Sequence, residues 1–183
     1  MPIGQILPLP AQFKAADSPQ GERPAVKQFR CGDEMWPGEL YSSLCVRYSD
    51  AYREGKTPQL TSSERAAEVV AHMAVEPQEL LVLVPLDSQL RMMGLVEVHR
   101  GNIDSAQVDP RLVFGILLTM GATAFMVAHN HPGGDPNPSD EDRSLNEFLW
   151  YMANELGYRY MEFLIVAARG VFSGRRAGWN LHS

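Results

Sequence analysis

The sequence predicts an α/β fold, a mixed β-sheet flanked by helices, on three observations. Apolar runs of strand length alternate with amphipathic stretches of helical period from residue 61 onward. Their order is helix, two strands, helix, strand, helix, two strands, which layers helices on one sheet. Capping residues stand where the period changes, at Asp109-Pro110, Gly121 and Gly157.

Taken in order, residues 1–60 read as a Pro-rich N-terminal arm plus an amphipathic helix, 61–178 as the main domain and 179–183 as a tail. Residues 1–30 hold five of the thirteen prolines and little periodicity, so they are expected to be loosely attached. Tyr41, Leu44, Cys45, Tyr48 and Tyr52 recur at helical spacing and predict a helix over 38–54, a cover on the domain or a partner-binding element. Ser62 or Ser63 caps the next helix, with Ala66, Val69, Val70 and Met73 as its apolar stripe. ELLVLVPLD (79–87) and RMMGLVEVHR (91–100) form a hairpin around DSQL. RLVFGILLTM is a mostly buried helix, and TAFMVAH (123–129) a short buried strand. SDEDRSLNEFLWYMANELG presents Leu145, Phe148, Leu149, Met152 and Leu156 on one face. YMEFLIVAA (160–168) and VFSGRRAG (171–178) close the domain as a hairpin around Arg169-Gly170.

Composition excludes several function classes. No apolar run approaches the roughly 20 residues that span a bilayer, so no membrane role is expected. The start MPIGQILPLPAQFK lacks a signal-peptide pattern, which makes the cytoplasm the expected location. Cys31 and Cys45 read as reduced thiols and supply no metal ligands. The formal net charge is −6, and residues 61–183 carry nine basic against fifteen acidic side chains. Such a balance disfavours nucleic acid, whose partners need a basic stripe. A homo-oligomer is left open.

The segment HNHPGGDPNPSDED (129–142) carries the chemistry. In extended chain, His129 and His131 point to one face with Cα atoms about 7 Å apart. A turn rich in proline and glycine can fold Asp142, at the start of the next helix, back over them. Two nitrogens and one carboxylate oxygen make a three-ligand zinc site open at its fourth position, the catalytic pattern. Glu97, placed on a mostly apolar face with Met93, Leu95 and His99, is the expected general acid/base, and Ser139 the expected oxyanion donor. Ser139-x-x-Asp142 is equally a capping box that needs no metal. His99 reads as a polar edge group, and His72 and His182 have no expected role.

Glu97, His129-Asn130-His131, Ser139 and Asp142 together resemble the JAMM, or MPN-plus, signature. HNHPGGDPNPSDED and LDSQLRMMGLVEVHRGNIDSAQVDPR are similar to the corresponding runs of the bacterial RadC family, over roughly residues 61–178. The resemblance implies a JAB/MPN (cytidine-deaminase-like) fold, with zinc on His129, His131 and Asp142, Glu97 as general acid/base and Ser139 as oxyanion stabiliser. It also implies a metalloprotease-type hydrolase acting on a peptide or ubiquitin-like protein substrate, and the family name is associated with DNA repair. Three features depart from the family. No helix-hairpin-helix module is recognisable in residues 1–60, its Asp-His pair is Glu162-Phe163 here, and no long insertion follows Gly157. The leading expectation is a zinc-dependent hydrolase of an amide bond. A repair-associated nucleic-acid-processing protein and a non-catalytic binding module are the alternatives.

Overall fold

The computed structural model describes residues 6–7, 30–31, 34–35, 50–101, 108–179 and 181. A short strand β1 (Ile6–Leu7), the paired strands β2 (Arg30–Cys31) and β3 (Glu34–Met35), and a single turn of helix α1 (Asp50–Arg53) precede the main body. There follow α2 (Ser63–Val70) with a 3₁₀ extension Ala71–Val75, β4 (Leu80–Leu86), β5 (Val96–Arg100), α3 (Pro110–Met120), β6 (Ala124–Asn130), α4 (Asp140–Leu156), β7 (Arg159–Ala167) and β8 (Gly170–Ser173). One six-stranded sheet runs in the order β1-β8-β7-β6-β4-β5. Only β6 and β7 pair in parallel, and the other neighbours are antiparallel. This is the mixed α/β architecture expected from the sequence.

Both faces of the sheet are covered, which explains why β4 and β6 read as unbroken apolar runs. Leu81, Leu83, Phe125, Val127, Phe163 and Ile165 pack under α3 and α4. Leu80, Val82, Val84, Met126, Ala128 and Leu164 pack under α2 on the other side. The helix ends follow local chemistry. Asp109 caps α3 by accepting from the Arg111 amide, with Pro110 in its first turn, and Gly121 and Gly157 end α3 and α4 at φ 62° and 74°, a region glycine enters without steric cost.

Four expectations need correction. The second hairpin strand is only Val96–Arg100, not 91–100. The Leu60 amide donates to the Leu90 carbonyl and the Met92 amide to the Pro58 carbonyl, so residues 58–60 take the hydrogen bonds a longer hairpin would use. The last strand stops at Ser173, because Glu162 accepts from the Arg175 amide and the Ser173 hydroxyl from the Arg176 amide, turning the chain. Leu156 lies exposed at the end of the α4 stripe, whose buried face runs instead through Asp142, Leu145, Asn146, Leu149 and Ala153. Within the stretch read as a loose arm, Ile6–Leu7 pairs with β8 and Leu7 is buried. Of the helix expected over 38–54, Asp50–Arg53 is helical, while Tyr41, Leu44, Cys45 and Tyr48 lie outside the described residues. Among the described residues no helix is long and apolar enough to cross a membrane.

Candidate metal centre

Strand β6 is buried from end to end and delivers His129 at its carboxyl end, 3% exposed, on the α4 side of the sheet. The His131 amide donates to the Val166 carbonyl at 2.8 Å, so the extended course continues one residue past the strand. Strand alternation therefore puts both imidazoles on one side, with ring centroids 4.7 Å apart and planes at 80°. The chain then turns tightly. The Gly134 amide reaches the His131 carbonyl at 3.0 Å, and Gly134 sits at φ 82° with the Ala168 methyl 3.7 Å from where its own Cβ would be.

The turn brings in the amino end of α4. Ser139 is its N-cap, accepting from the Asp142 amide at 3.1 Å. The Ser139 amide and hydroxyl each donate to Asp142 Oδ2 at 2.8 Å, a reciprocal capping box. This box aims Asp142, 2% exposed, at the histidines. Its Oδ1 lies 2.8 Å from His129 Nδ1 and its Oδ2 3.3 Å from His131 Nε2. Cap and convergence thus coexist in the same two residues. Burial acts to raise the Asp142 carboxyl, but hydrogen bonds from His129 and His131 outweigh it and hold the group far below the usual carboxylate range. Burial acts to lower His131, yet its bonds to Asp142 and the Asp135 carbonyl, with the charges of Asp142 and Glu79, leave it raised.

The hydrogen bonds also choose the tautomers. His131 Nδ1 meets the Asp135 carbonyl at 2.9 Å, which only accepts, so Nδ1 carries the hydrogen. His129 Nδ1 likewise faces a carboxylate oxygen. His129 Nε2 is thereby left without a hydrogen and is buried with no hydrogen-bond partner, whereas His131 Nε2 lies against Asp142 Oδ2. An orphaned buried nitrogen is costly, and a metal ion is the partner that suits it. One ligand atom from each of His129, His131 and Asp142 falls within 4.8 Å of the other two. Ligand atoms on a tetrahedral zinc lie roughly 3.4 Å apart, so these side chains would have to draw together around an ion. Ser139 stands beside it, with its hydroxyl hydrogen directed to Asp142.

Glu97 does not join this group. The β4–β5 pairing shifts so that Leu81 faces His99 and Val82 faces Glu97, which leaves Val98 as the extra residue of a bulge. Glu97 therefore shares the face of Val82, on the α2 side, whereas Val96 and Val98 pack toward the α4 side. Its carboxylate is 47% exposed and takes the Arg100 Nε and Nη2 hydrogens at 2.8 Å each. The expectation of a buried acid sharing a face with His99 fails because a bulge reverses the alternation. His99 stays on the site's side, one strand beyond Leu81.

The carboxylate on the site's side is Glu79. Leu81 pairs with His129 in antiparallel register, and Glu79 stands just before β4 as His131 stands just after β6, so continuing that register past the strand ends brings the two toward each other. Its charge is one of those that raise His131. The sequence held a signal, since Glu79 stands directly before the apolar run of β4, but only its place near His131 gives it meaning.

Comparisons with known proteins give the family. The family model described as RadC-like JAB domain matches residues 60–179. A UPF0758 protein of Shewanella loihica is 36% identical over 111 residues, 61% of this chain and 49% of its own length. One of Thermotoga maritima is 34% identical over 120 residues, 66% and 54% of the two chains. One of Shewanella piezotolerans is 38% identical over 101 residues, 55% and 45%. The chain spans about half the length of these curated relatives.

Proposed function

Because the chain belongs to the RadC-like JAB domain family, we propose that it is a zinc-dependent hydrolase of amide bonds, of the JAMM type, acting on a peptide or isopeptide link. The observation that carries this reading is the convergence of His129, His131 and Asp142 around an unpartnered buried nitrogen, with the charge of Glu79 acting on His131 from just before β4. Two imidazole nitrogens and a carboxylate oxygen suit zinc, and three protein ligands leave room for substrate. A divalent ion bound there supplies Lewis-acid polarisation and a lowered pKa for water.

The chain's own groups do the rest. The Asp135 carbonyl and the Asp142 carboxylate take the Nδ1 hydrogens of His131 and His129, and each Nε2 would turn to the ion once His131 Nε2 gives up its contact with Asp142. Glu79 accepts a proton from the attacking water and returns it to the amide nitrogen as the C–N bond breaks, yielding a carboxylate and an amine. The Ser139 hydroxyl, turned from Asp142 Oδ2, would donate to the oxyanion that forms meanwhile. A peptide chain fits better than nucleic acid, because the net charge of −6 offers no general attraction to phosphates.

The test is metal analysis of the full chain, followed by cleavage assays on peptides and ubiquitin-like fusions with the zinc-loaded protein. Glu79→Gln should lower the rate by about 10²–10⁴-fold with one zinc still bound, as loss of a general base does. Glu97→Ala should leave it unchanged. A zinc-loaded Glu79→Gln protein as active as wild type would remove Glu79 from the mechanism. Failure to bind zinc would remove the mechanism altogether.

A further inference from the structure

Asn130 stands between the two histidines, and strand alternation sends its side chain to the opposite face of the sheet. It is 1% exposed, and a buried carboxamide has donors and an acceptor to satisfy. Asn130 Oδ1 accepts from the Leu80 amide at 2.6 Å. Its Nδ2 donates to the Gln78 carbonyl at 3.1 Å and the Glu76 carbonyl at 3.3 Å. All three bonds go to the backbone approaching β4, and two of them grip the residues on either side of Glu79. No hydrophobic residue of similar size could make any of them, and aspartate would lack the two donor hydrogens.

We infer that Asn130 is a positioning residue that locks the backbone of Glu79 to the histidine pair. Peptide bonds tie it to His129 and His131, and its side chain ties it to Gln78 and Leu80. The separation between the proton-carrying carboxylate and the metal ligands is thereby set by one amide group. The flanking segment needs such a clamp, because Pro77 and Gln78 are exposed and the approach to β4 lies outside the strand. The inference rests on the reading of Glu79 as proton carrier.

The test uses the full chain loaded with cobalt(II) in place of zinc and follows the pH midpoint of the cobalt absorption spectrum. Replacing a carboxylate beside the ion should shift that midpoint by about one pH unit, so Glu79→Gln gives the reference shift. Asn130→Ala should bind one cobalt, shift the midpoint by a similar amount, and add nothing when combined with Glu79→Gln. Where the alanine variant does not fold, Asn130→Ser serves, its hydroxyl being too short to bridge both sides. A variant that melts earlier but keeps the wild-type midpoint, or a double variant whose shifts add, overturns the inference and leaves Glu79 in its role. Loss of cobalt binding in both Asn130 variants places the residue with the ligands instead and overturns it too. A wild-type midpoint in Glu79→Gln removes the reading of Glu79 itself, and the inference with it.

Discussion

Asp142 and His131 pull the stability of the metal-free chain in opposite directions along the pH axis. The Asp142 carboxyl is depressed when folded, so its contribution is present above the ordinary value of 3.8 and is lost as pH falls through the folded one. His131 is raised, so its contribution is full below 6.5 and is lost as pH rises through the folded value. The chelator-treated protein should therefore melt highest between about pH 4 and 6.5. His131→Gln should flatten the alkaline side of that profile in a melting series across pH 3–9. An alkaline limb as steep in the variant as in the wild type would assign the dependence to another group. Zinc competes with the same protons, so the gain in melting temperature on adding it should be larger at pH 8 than at pH 6. Glu97 offers a contrast at this scale. Its pair with Arg100 is largely exposed, and such pairs contribute about 0.2–1 kcal/mol, so Glu97→Ala should leave stability nearly unchanged.

Two side-chain arrangements couple elements rather than single residues. At the amino end of α4, Ser139 both caps the helix and hydrogen-bonds the carboxylate that would hold metal. Ser139→Ala should cost about 1 kcal/mol as a lost cap and weaken zinc binding, both readable by urea unfolding with and without zinc. Unaltered zinc affinity would separate the cap from the site. On the opposite face, Glu162 accepts from the hydroxyls of Ser63 on α2 and Ser173 on β8, and from the amides of Phe163 and Arg175. Burial pushes its carboxyl up despite these bonds. It ties α2, β7, β8 and the following turn to one point where an apolar residue would leave four donors unpaired. Glu162→Ala should destabilise by about 3 kcal/mol, since each buried orphan costs about 1–3 kcal/mol. A loss under 1 kcal/mol in urea unfolding would mean water replaces the carboxylate.

At the scale of the whole molecule, a bound metal would join the end of β6 to the start of α4, closing the turn between these consecutive elements. Zinc at a hundredfold excess over its dissociation constant adds about 2.7 kcal/mol, which in a chain of this size is roughly 5–10 °C in melting temperature. Scanning calorimetry with zinc and with chelator should show that difference, and Asp142→Asn should abolish it. The helix caps, the apolar strands and the H-x-H spacing were legible in the residues themselves, because each is a contact between neighbours within a few positions. The shortened hairpin strand was not, since residues 58–60 compete for its hydrogen bonds from far outside the local pattern. The sequence by itself determined the α/β layering and a convergent pair of imidazoles beside a capping aspartate. The proposal that Glu79 rather than Glu97 accompanies them rests on the tertiary structure. A strand's faces are known from its neighbours, and one bulge at Val98 exchanges those faces, sending Glu97 out to Arg100, while Glu79, just before β4, stands where its charge acts on His131.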